Sequence, residues 1–271
     1  RTFDSFNIAM TIISSGGFLP VNDIGNIVNT NFKEVVFSFL MLLPFFSLFL
    51  FYNVIFLKEK SLNFFAEDIY LSIYLLALIV IFFIFFNYDY NFSTILFSLS
   101  SSMSNIGISF KNSPSNLWFL FLLIVIIGGS FFSTSSGLRF LKILSLFQFS
   151  INEIISNAKP KNIFINKLWL SDKIMDKSDF YKYFFSILIF IISLILLTSI
   201  LSISGLDIES SFKLSTLTLM NTANSYMTKL NNLDFQQLNY LTKYFLILFM
   251  IIGRVELLSF LIIFKKFFFK N

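Results

Sequence analysis

The chain has 271 residues, 56% hydrophobic, 20% aromatic and only 13% charged, with a net charge of +5. Soluble domains carry roughly a quarter charged residues, so this balance excludes a soluble globule. Cysteine and histidine are both absent, which removes disulfides, thiolate metal sites and the commonest general base.

The chain opens Arg1-Thr2-Phe3-Asp4, with neither an initiator methionine nor a signal pattern, and so reads as a piece of something longer. Residues 5 to 22 are uncharged yet rich in Ser, Thr and Asn. Such a segment fits poorly as a lipid-exposed span, because each backbone amide in hydrocarbon needs a partner. It fits better as a re-entrant loop buried in protein. A charge-poor span follows at about 34 to 57, then another at 69 to 88. A second polar loop occupies 90 to 110, and a span follows at about 116 to 142. The stretch 146 to 182 carries Lys159, Lys161, Lys167, Lys173, Lys177 and Lys182 and reads as a linker. The last group has a span at 183 to 206, a loop at about 208 to 228, and a span at 240 to 264 interrupted by Arg254 and Glu256. Each span approaches or exceeds the ~20 residues that cross a ~30 Å hydrocarbon core.

The order span, polar loop, span therefore repeats, and repeats govern the fold before any motif does. The expectation is an all-α polytopic membrane protein with repeated span/pore-loop/span units around one pore, like a potassium channel. A partial unit covers 1–57, complete units cover 68–145 and 183–271, and the linker 146–182 lies between them. Thirteen basic residues fall on the linker side of the spans and six on the other, which puts the linker in the cytoplasm and the loops at the outer face. Cytoplasmic lysines beside anionic lipid account for the net positive charge without nucleic acid.

The loops end in Ser14-Ser15-Gly16-Gly17, Ser104-Asn105-Ile106-Gly107 and Met220-Asn221-Thr222-Ala223. A cation filter needs backbone carbonyls turned toward a common axis, and glycine permits the angles that this requires. The candidate filter residues are Ser14, Ser15, Gly16; Asn105, Ile106, Gly107; and Asn221, Thr222, Ala223, with Gly16 and Gly107 expected at equivalent positions. Residues 128 to 137 break a span with Gly128-Gly129 and a run of Ser and Thr, the pattern of an unwound segment facing protein or a water-filled cavity. Arg254 is costly in hydrocarbon, about 2.5 to 3.5 kcal/mol at a helix centre, and so must face the interior.

Ala9 to Phe18 resembles a filter loop of the TrkH/KtrB family of potassium transporters. Gly128-Gly129-Ser130-Phe131-Phe132-Ser133-Thr134-Ser135-Ser136-Gly137-Leu138-Arg139 resembles that family's glycine-rich broken span, and Ile252-Gly253-Arg254-Val255-Glu256 its final-span signature. The resemblance implies four units around one pore, of which this chain would supply part of the second and all of the third and fourth. It implies potassium uptake across the cell (inner) membrane through filter carbonyls, which would hold potassium as the transported ion, with no cofactor on this chain and no chemical transformation. It also implies a gate made of Gly128, Gly129, Ser133, Thr134, Gly137 and Arg254, a homodimer, and a cytoplasmic nucleotide-binding regulatory subunit like TrkA or KtrA.

Phe131, Phe132 and Ser136 stand where the family has smaller residues, and Asn224-Ser225 where it has Pro-Gly. Ala223 replaces a filter glycine, and a left-handed alanine would cost roughly 1 kcal/mol or more. A degenerate member without transport activity and a sodium-permeable relative are the alternatives. An intramembrane enzyme would need a reactive pair, and Arg254 and Glu256, about 200° apart on one helix, do not form one.

Overall fold

The computed structural model describes residues 2–21, 23–48, 62–86, 90–158, 177–223, 226–230, 235–236 and 238–254. Among them the helices in chain order are α1 Thr2–Ser14, α2 Asn31–Leu42, α3 Leu62–Phe86, α4 Phe92–Met103, α5 Trp118–Ile126, α6 Phe140–Ala158, α7 Lys177–Ile203, α8 Ile208–Leu219 and α9 Tyr240–Arg254. Asn224-Ser225, Glu256, Lys58, Lys60, the linker lysines from Lys159 to Lys173 and the lysines after Arg254 lie outside the described residues.

Two helix segments, Ala66–Phe85 in α3 and Asp179–Ile203 in α7, are long and apolar enough to cross a membrane. Both turn large apolar side chains outward, among them Leu76 and Ile84 on α3 and Ile191 and Ile195 on α7. By contrast α1, α4 and α8 have 13, 12 and 12 residues, which at 1.5 Å per residue reaches about 18 to 20 Å, well short of the membrane core. These are the half-length helices expected from the polar stretches. Many of their hydroxyls are buried because they find a carbonyl one turn back, although Ser93 Oγ and Ser101 Oγ do not. Ser98, Ser102 and Ser104 in or just after α4 donate to the carbonyls of Thr94, Ser98 and Ser100, and Thr216 and Thr218 of α8 to those of Phe212 and Leu214. Asp207 caps α8 by accepting from Ser210 N.

The span expected from 34 to 57 is not continuous. Helix α2 ends at Leu42 and a 3₁₀ turn covers Leu43–Phe45, after which Phe46 is extended at φ −81°, ψ 164°. Pro44 supplies the physical reason, since it has no N–H to donate and its ring opposes the preceding helical turn. A second difference is that α6 continues to Ala158, so the start of the stretch read as linker is helical.

Among the described residues the core forms three patches, each seating a short helix. Ile8, Ile12, Met41, Phe97 and Ile106 join α1, α2, α4 and the turn after α4. Phe45, Leu71, Phe82, Leu99, Met103 and Phe121 join the α2 break, α3, α4 and α5. Leu122, Val125, Phe190, Leu197, Leu217 and Phe249 join α5, α7, α8 and α9. The short helices α4 and α8 are buried along most of their lengths, whereas α1 exposes Phe3, Phe6, Met10 and Ile13.

Candidate ion filter and gate

The three short helices end alike. The backbone turns left-handed at Ser15 (φ 52°), Asn105 (φ 58°) and Asn221 (φ 50°). One residue later, Gly16 N, Ile106 N and Thr222 N each donate to the carbonyl five residues back, on Thr11, Ser101 and Leu217, at 3.0, 3.1 and 3.0 Å. This closing bond satisfies orphan carbonyls at a helix C-terminus and fixes the register between loops. Gly16 therefore corresponds to Ile106 and Thr222, and the residue matching Gly107 is Gly17. Gly17 (φ 72°) and Gly107 (φ 77°) share the left-handed region, and Gly16 does not. The expected equivalence of Gly16 and Gly107 is off by one residue.

Ala223 holds the third position of this set, and its φ is not positive, so the left-handed strain expected there is absent. The strand has instead taken a different backbone path that suits an L residue. The tips nevertheless meet. A Cβ built on Gly17 would overlap the Ile106 carbonyl oxygen and the Ala223 methyl, and one on Gly107 would overlap the Ala223 carbonyl and lie 2.9 Å from Thr222 Cγ2. Three loop segments, 90 to 206 residues apart in sequence, thus pack backbone to backbone, which only glycine allows at two of the three positions. Thr11 Oγ1 on α1 donates to the Phe18 carbonyl and ties its strand to its own helix. Ser15 Oγ and Asn105 Oδ1 are buried without a hydrogen-bond partner.

Beyond the tips, Tyr226 N donates to Ser109 Oγ at 2.9 Å, and Lys111 Nζ pairs with Asp23 Oδ2 at 3.1 Å. The Gly25 backbone N–H, with the Lys111 ammonium beside it, holds the Asp23 carboxyl below its ordinary value. The same ion pair raises Lys111. Both shifts favour the charged forms that bind the two loops together.

The broken span lies against the opposite ends of these loops. Its two limbs are stitched where they diverge: Gly128 N donates to Leu138 O at 2.8 Å, Leu138 N to Ile126 O at 3.1 Å, and Phe140 N to Gly129 O at 3.2 Å. Residues 128–137 form a closed flap between those stitches. A Cβ on Gly128 would overlap the Ser136 carbonyl, and one on Gly129 the Phe45 carbonyl. Gly137 takes φ 99°. The flap rests on the break in the span after α2, where Ser130 N donates to Phe45 O at 3.0 Å and Ser135 N to Pro44 O at 3.3 Å. Above it, Asn105 Nδ2 donates to the Ser136 carbonyl at 2.8 Å, and Thr134 Oγ1 to the Ile13 carbonyl of α1 at 3.0 Å.

Arg139 fills the flap from within. Its Nη1 lies 3.2 Å from Ser130 O, 3.3 Å from Ser133 O and 3.1 Å from Ser135 O. An unwound turn leaves carbonyls without ladder partners, and a guanidinium supplies several donors from one plane. The sequence placed Arg139 among the linker-side cations and singled out Arg254 instead as the arginine of the gate. The available signal was its place directly after Gly137-Leu138, too near a broken helix to be a free flanking charge.

Arg254 still reaches the flap by a different contact. Its Nη1 donates to Ser136 Oγ at 2.9 Å and its Nη2 to the Ser14 carbonyl of α1 at 3.3 Å. The preceding Gly253 makes the approach possible, since a Cβ there would overlap Leu219 O at the end of α8. Asn221 Nδ2 adds a bond to Met250 O at 2.9 Å. All nine loop residues singled out in the sequence thus lie at the three convergent helix ends. Gly128, Gly129, Ser133, Thr134, Gly137 and Arg254 lie together beneath them.

No protein-family model matches the chain. It is 27% identical over 284 residues to the Trk system potassium uptake protein TrkG of Escherichia coli (strain K12), in a match covering 99% of this chain and 57% of that protein. The crystal structure of the potassium transporter TrkH from Vibrio parahaemolyticus has the same fold, with a TM-score of 0.77 at 20% identity over 97% of this chain and 58% of that one. The chain is similar to TrkG in sequence and has the fold of TrkH. It spans somewhat more than half the length of each of these two relatives. The all-helical, channel-like membrane-transporter fold expected from the repeats is the fold of TrkH.

Proposed function

We propose that the chain forms part of a potassium uptake pathway in the cell membrane, with the carbonyls around Ser15–Gly17, Asn105–Gly107 and Asn221–Ala223 facing the ion. The observation that carries this reading is the convergence of three tips closed by the same five-residue hydrogen bond, two of them with a left-handed glycine at the same position. Carbonyl dipoles held this way replace water around a bare cation, and the C-terminal ends of the short helices add partial negative charge. The ion moves down its electrochemical gradient, and nothing is chemically transformed.

In this reading the flap 128–137 closes the pathway on the inner side of the filter. Its many hydrogen bonds are short-range and polar, so water can replace them when the flap moves. Arg254 holds a positive charge beside the flap and one pore-helix terminus, where it opposes an entering cation. The linker faces the cytoplasm, and the transporter works as a homodimer on a TrkA-like nucleotide-binding subunit, in keeping with the Trk system to which the TrkG relative belongs.

Radiolabelled rubidium uptake tests the proposal. Cells lacking their own potassium uptake and making the full-length gene product should accumulate rubidium, with potassium competing better than sodium. Absence of rubidium uptake from correctly inserted protein overturns it. One observation favours a second reading. The Ala223 methyl would overlap a Cβ built on Gly17, and this crowding would suit a sodium-permeable or inactive pore. Equal competition by sodium would select that reading.

A further inference from the structure

Three pairs of consecutive residues close a ring at the edge of the flap. Glu67 Oε1 on α3 accepts from the Phe131 backbone N–H at 2.8 Å. Its neighbour Asp68 accepts through Oδ1 from Ser47 N at 3.0 Å, beside the break that Pro44 makes. Leu48 N then donates to the Phe132 carbonyl at 3.2 Å and completes the circuit. Adjacent residues on a helix point about 100° apart, so one side chain of the pair reaches the flap while the other reaches the flap's support.

We propose that Glu67 and Asp68 are positioning residues that form a carboxylate latch, holding the flap against the broken span after α2. The proposal rests on reading the flap as the gate. The two halves of the latch differ in a way that assigns their roles. Asp68 is 5% exposed and its bond to Ser47 is buried, so breaking it would strand a carboxylate and an amide away from water. The bond from Phe131 to Glu67 lies at an exposed edge, where both partners find water once they separate. Glu67 is therefore the half that releases, and Asp68 the fixed anchor. A carboxylate bound to a backbone N–H makes a stronger bond than a neutral acceptor would, which suits a contact that must hold yet reopen.

Asn105 and Arg254 hold the flap at Ser136, and its supports near Phe131 other than Glu67 are of a different kind. The bonds from Ser130 N to Phe45 O and from Ser135 N to Pro44 O join backbone to backbone. Arg139 binds the flap to itself. Glu67 is a side chain on a separate long helix, so a movement of α3 would transmit directly to Phe131.

The test uses the full-length gene product in proteoliposomes and two readouts. One is the rate at which a thiol reagent labels a cysteine placed at Phe132, a probe without competing thiols among these 271 residues, which hold no cysteine. The other is rubidium flux. Glu67→Ala should raise both, by about fivefold to tenfold, and Glu67→Gln, whose amide oxygen still accepts from Phe131 N, should bring both back toward the unsubstituted values. Unchanged labelling in correctly inserted Glu67→Ala protein overturns the latch, as does labelling by Glu67→Gln equal to that by Glu67→Ala. Raised labelling with unchanged flux supports the latch and overturns the reading of the flap as a gate.

Discussion

Arg254 and Ser136 meet at 2.9 Å across 118 residues of chain. The same guanidinium reaches the Ser14 carbonyl at the C-terminus of α1. A helix C-terminus carries about half a negative charge, a pole that, in the proposed reading of these loops as an ion filter, favours a cation below it. Arg254 occupies one such pole and engages the flap at once. Arg254→Ala should free both, raising rubidium flux several-fold in vesicles that lack any regulatory subunit. Arg254→Lys should keep part of the electrostatic barrier but lose the two-armed contact. Flux unchanged in correctly inserted Arg254→Ala protein would leave the residue a purely structural role.

Arg139 predicts the contrary pattern. The two N–H groups of its Nη1 are shared among the Ser130, Ser133 and Ser135 carbonyls of one flap, so its removal takes the donor from a whole cluster of carbonyls at once. Hydrogen bonds to a charged group contribute about 1.5 to 3 kcal/mol each, and Arg139→Ala should lower the thermal midpoint of the detergent-solubilised protein by several degrees. Arg254→Ala should lower it far less. Equal losses in the two variants would show that both arginines serve stability alike.

Composition alone made the membrane architecture legible, and the alternation of apolar and polar stretches located the half-length helices at 5–22, 90–110 and 208–228. Glycine and serine patterns also marked the flap, because a broken helix must spend residues that tolerate unusual backbone angles. The register of the loops was hidden. Gly16 and Gly17 are adjacent and chemically identical, and only the closing bond from Gly16 N to Thr11 O tells which of them matches Gly107. The break at Pro44 was legible in principle but looked like one proline in an otherwise apolar span. The contacts of Arg139 with the flap were not legible, because charge counting assigns a side of the membrane, not a partner. Glu67 and Asp68 gave no sequence signal at all, since their partners are backbone amides of segments 21 and 64 residues away.

The register makes a direct test. A Cβ on Gly17 would overlap backbone of the facing loop, whereas one on Gly16 would meet the flexible Ser14 Oγ at 3.1 Å within its own loop. Gly17 also takes φ 72°, where an L residue adds about 1 kcal/mol of strain. Gly17→Ala should therefore abolish rubidium uptake in protein that still reaches the membrane, and Gly16→Ala should retain a substantial fraction. Greater loss in Gly16→Ala would restore the register that aligns Gly16 with Gly107.

Ala223 allows the last prediction, and the absence of a left-handed angle changes its basis. Strain relief is no longer the reason to expect an effect of glycine, because the alanine backbone is already in an ordinary region. Crowding is the reason. The methyl points at Gly17 while the Ala223 carbonyl and N–H face Gly107, the latter 2.8 Å from where a Cβ on Gly107 would stand. Removing the methyl clears space between strands that belong to different units and lets residue 223 adopt the positive φ of its counterparts Gly17 and Gly107. A filter with matched strands presents its carbonyls more evenly, and even coordination separates ions of different size more sharply. Ala223→Gly should increase the preference for rubidium over sodium, measured as competition in uptake, without raising basal leak through the flap. Glycine also loosens the strand, by roughly 0.5 to 1 kcal/mol of added backbone entropy in the unfolded chain, so a small fall in thermal midpoint should accompany the change. An unaltered ion preference would mean that the neighbouring strands have already accommodated the methyl and that selectivity is set elsewhere along the filter.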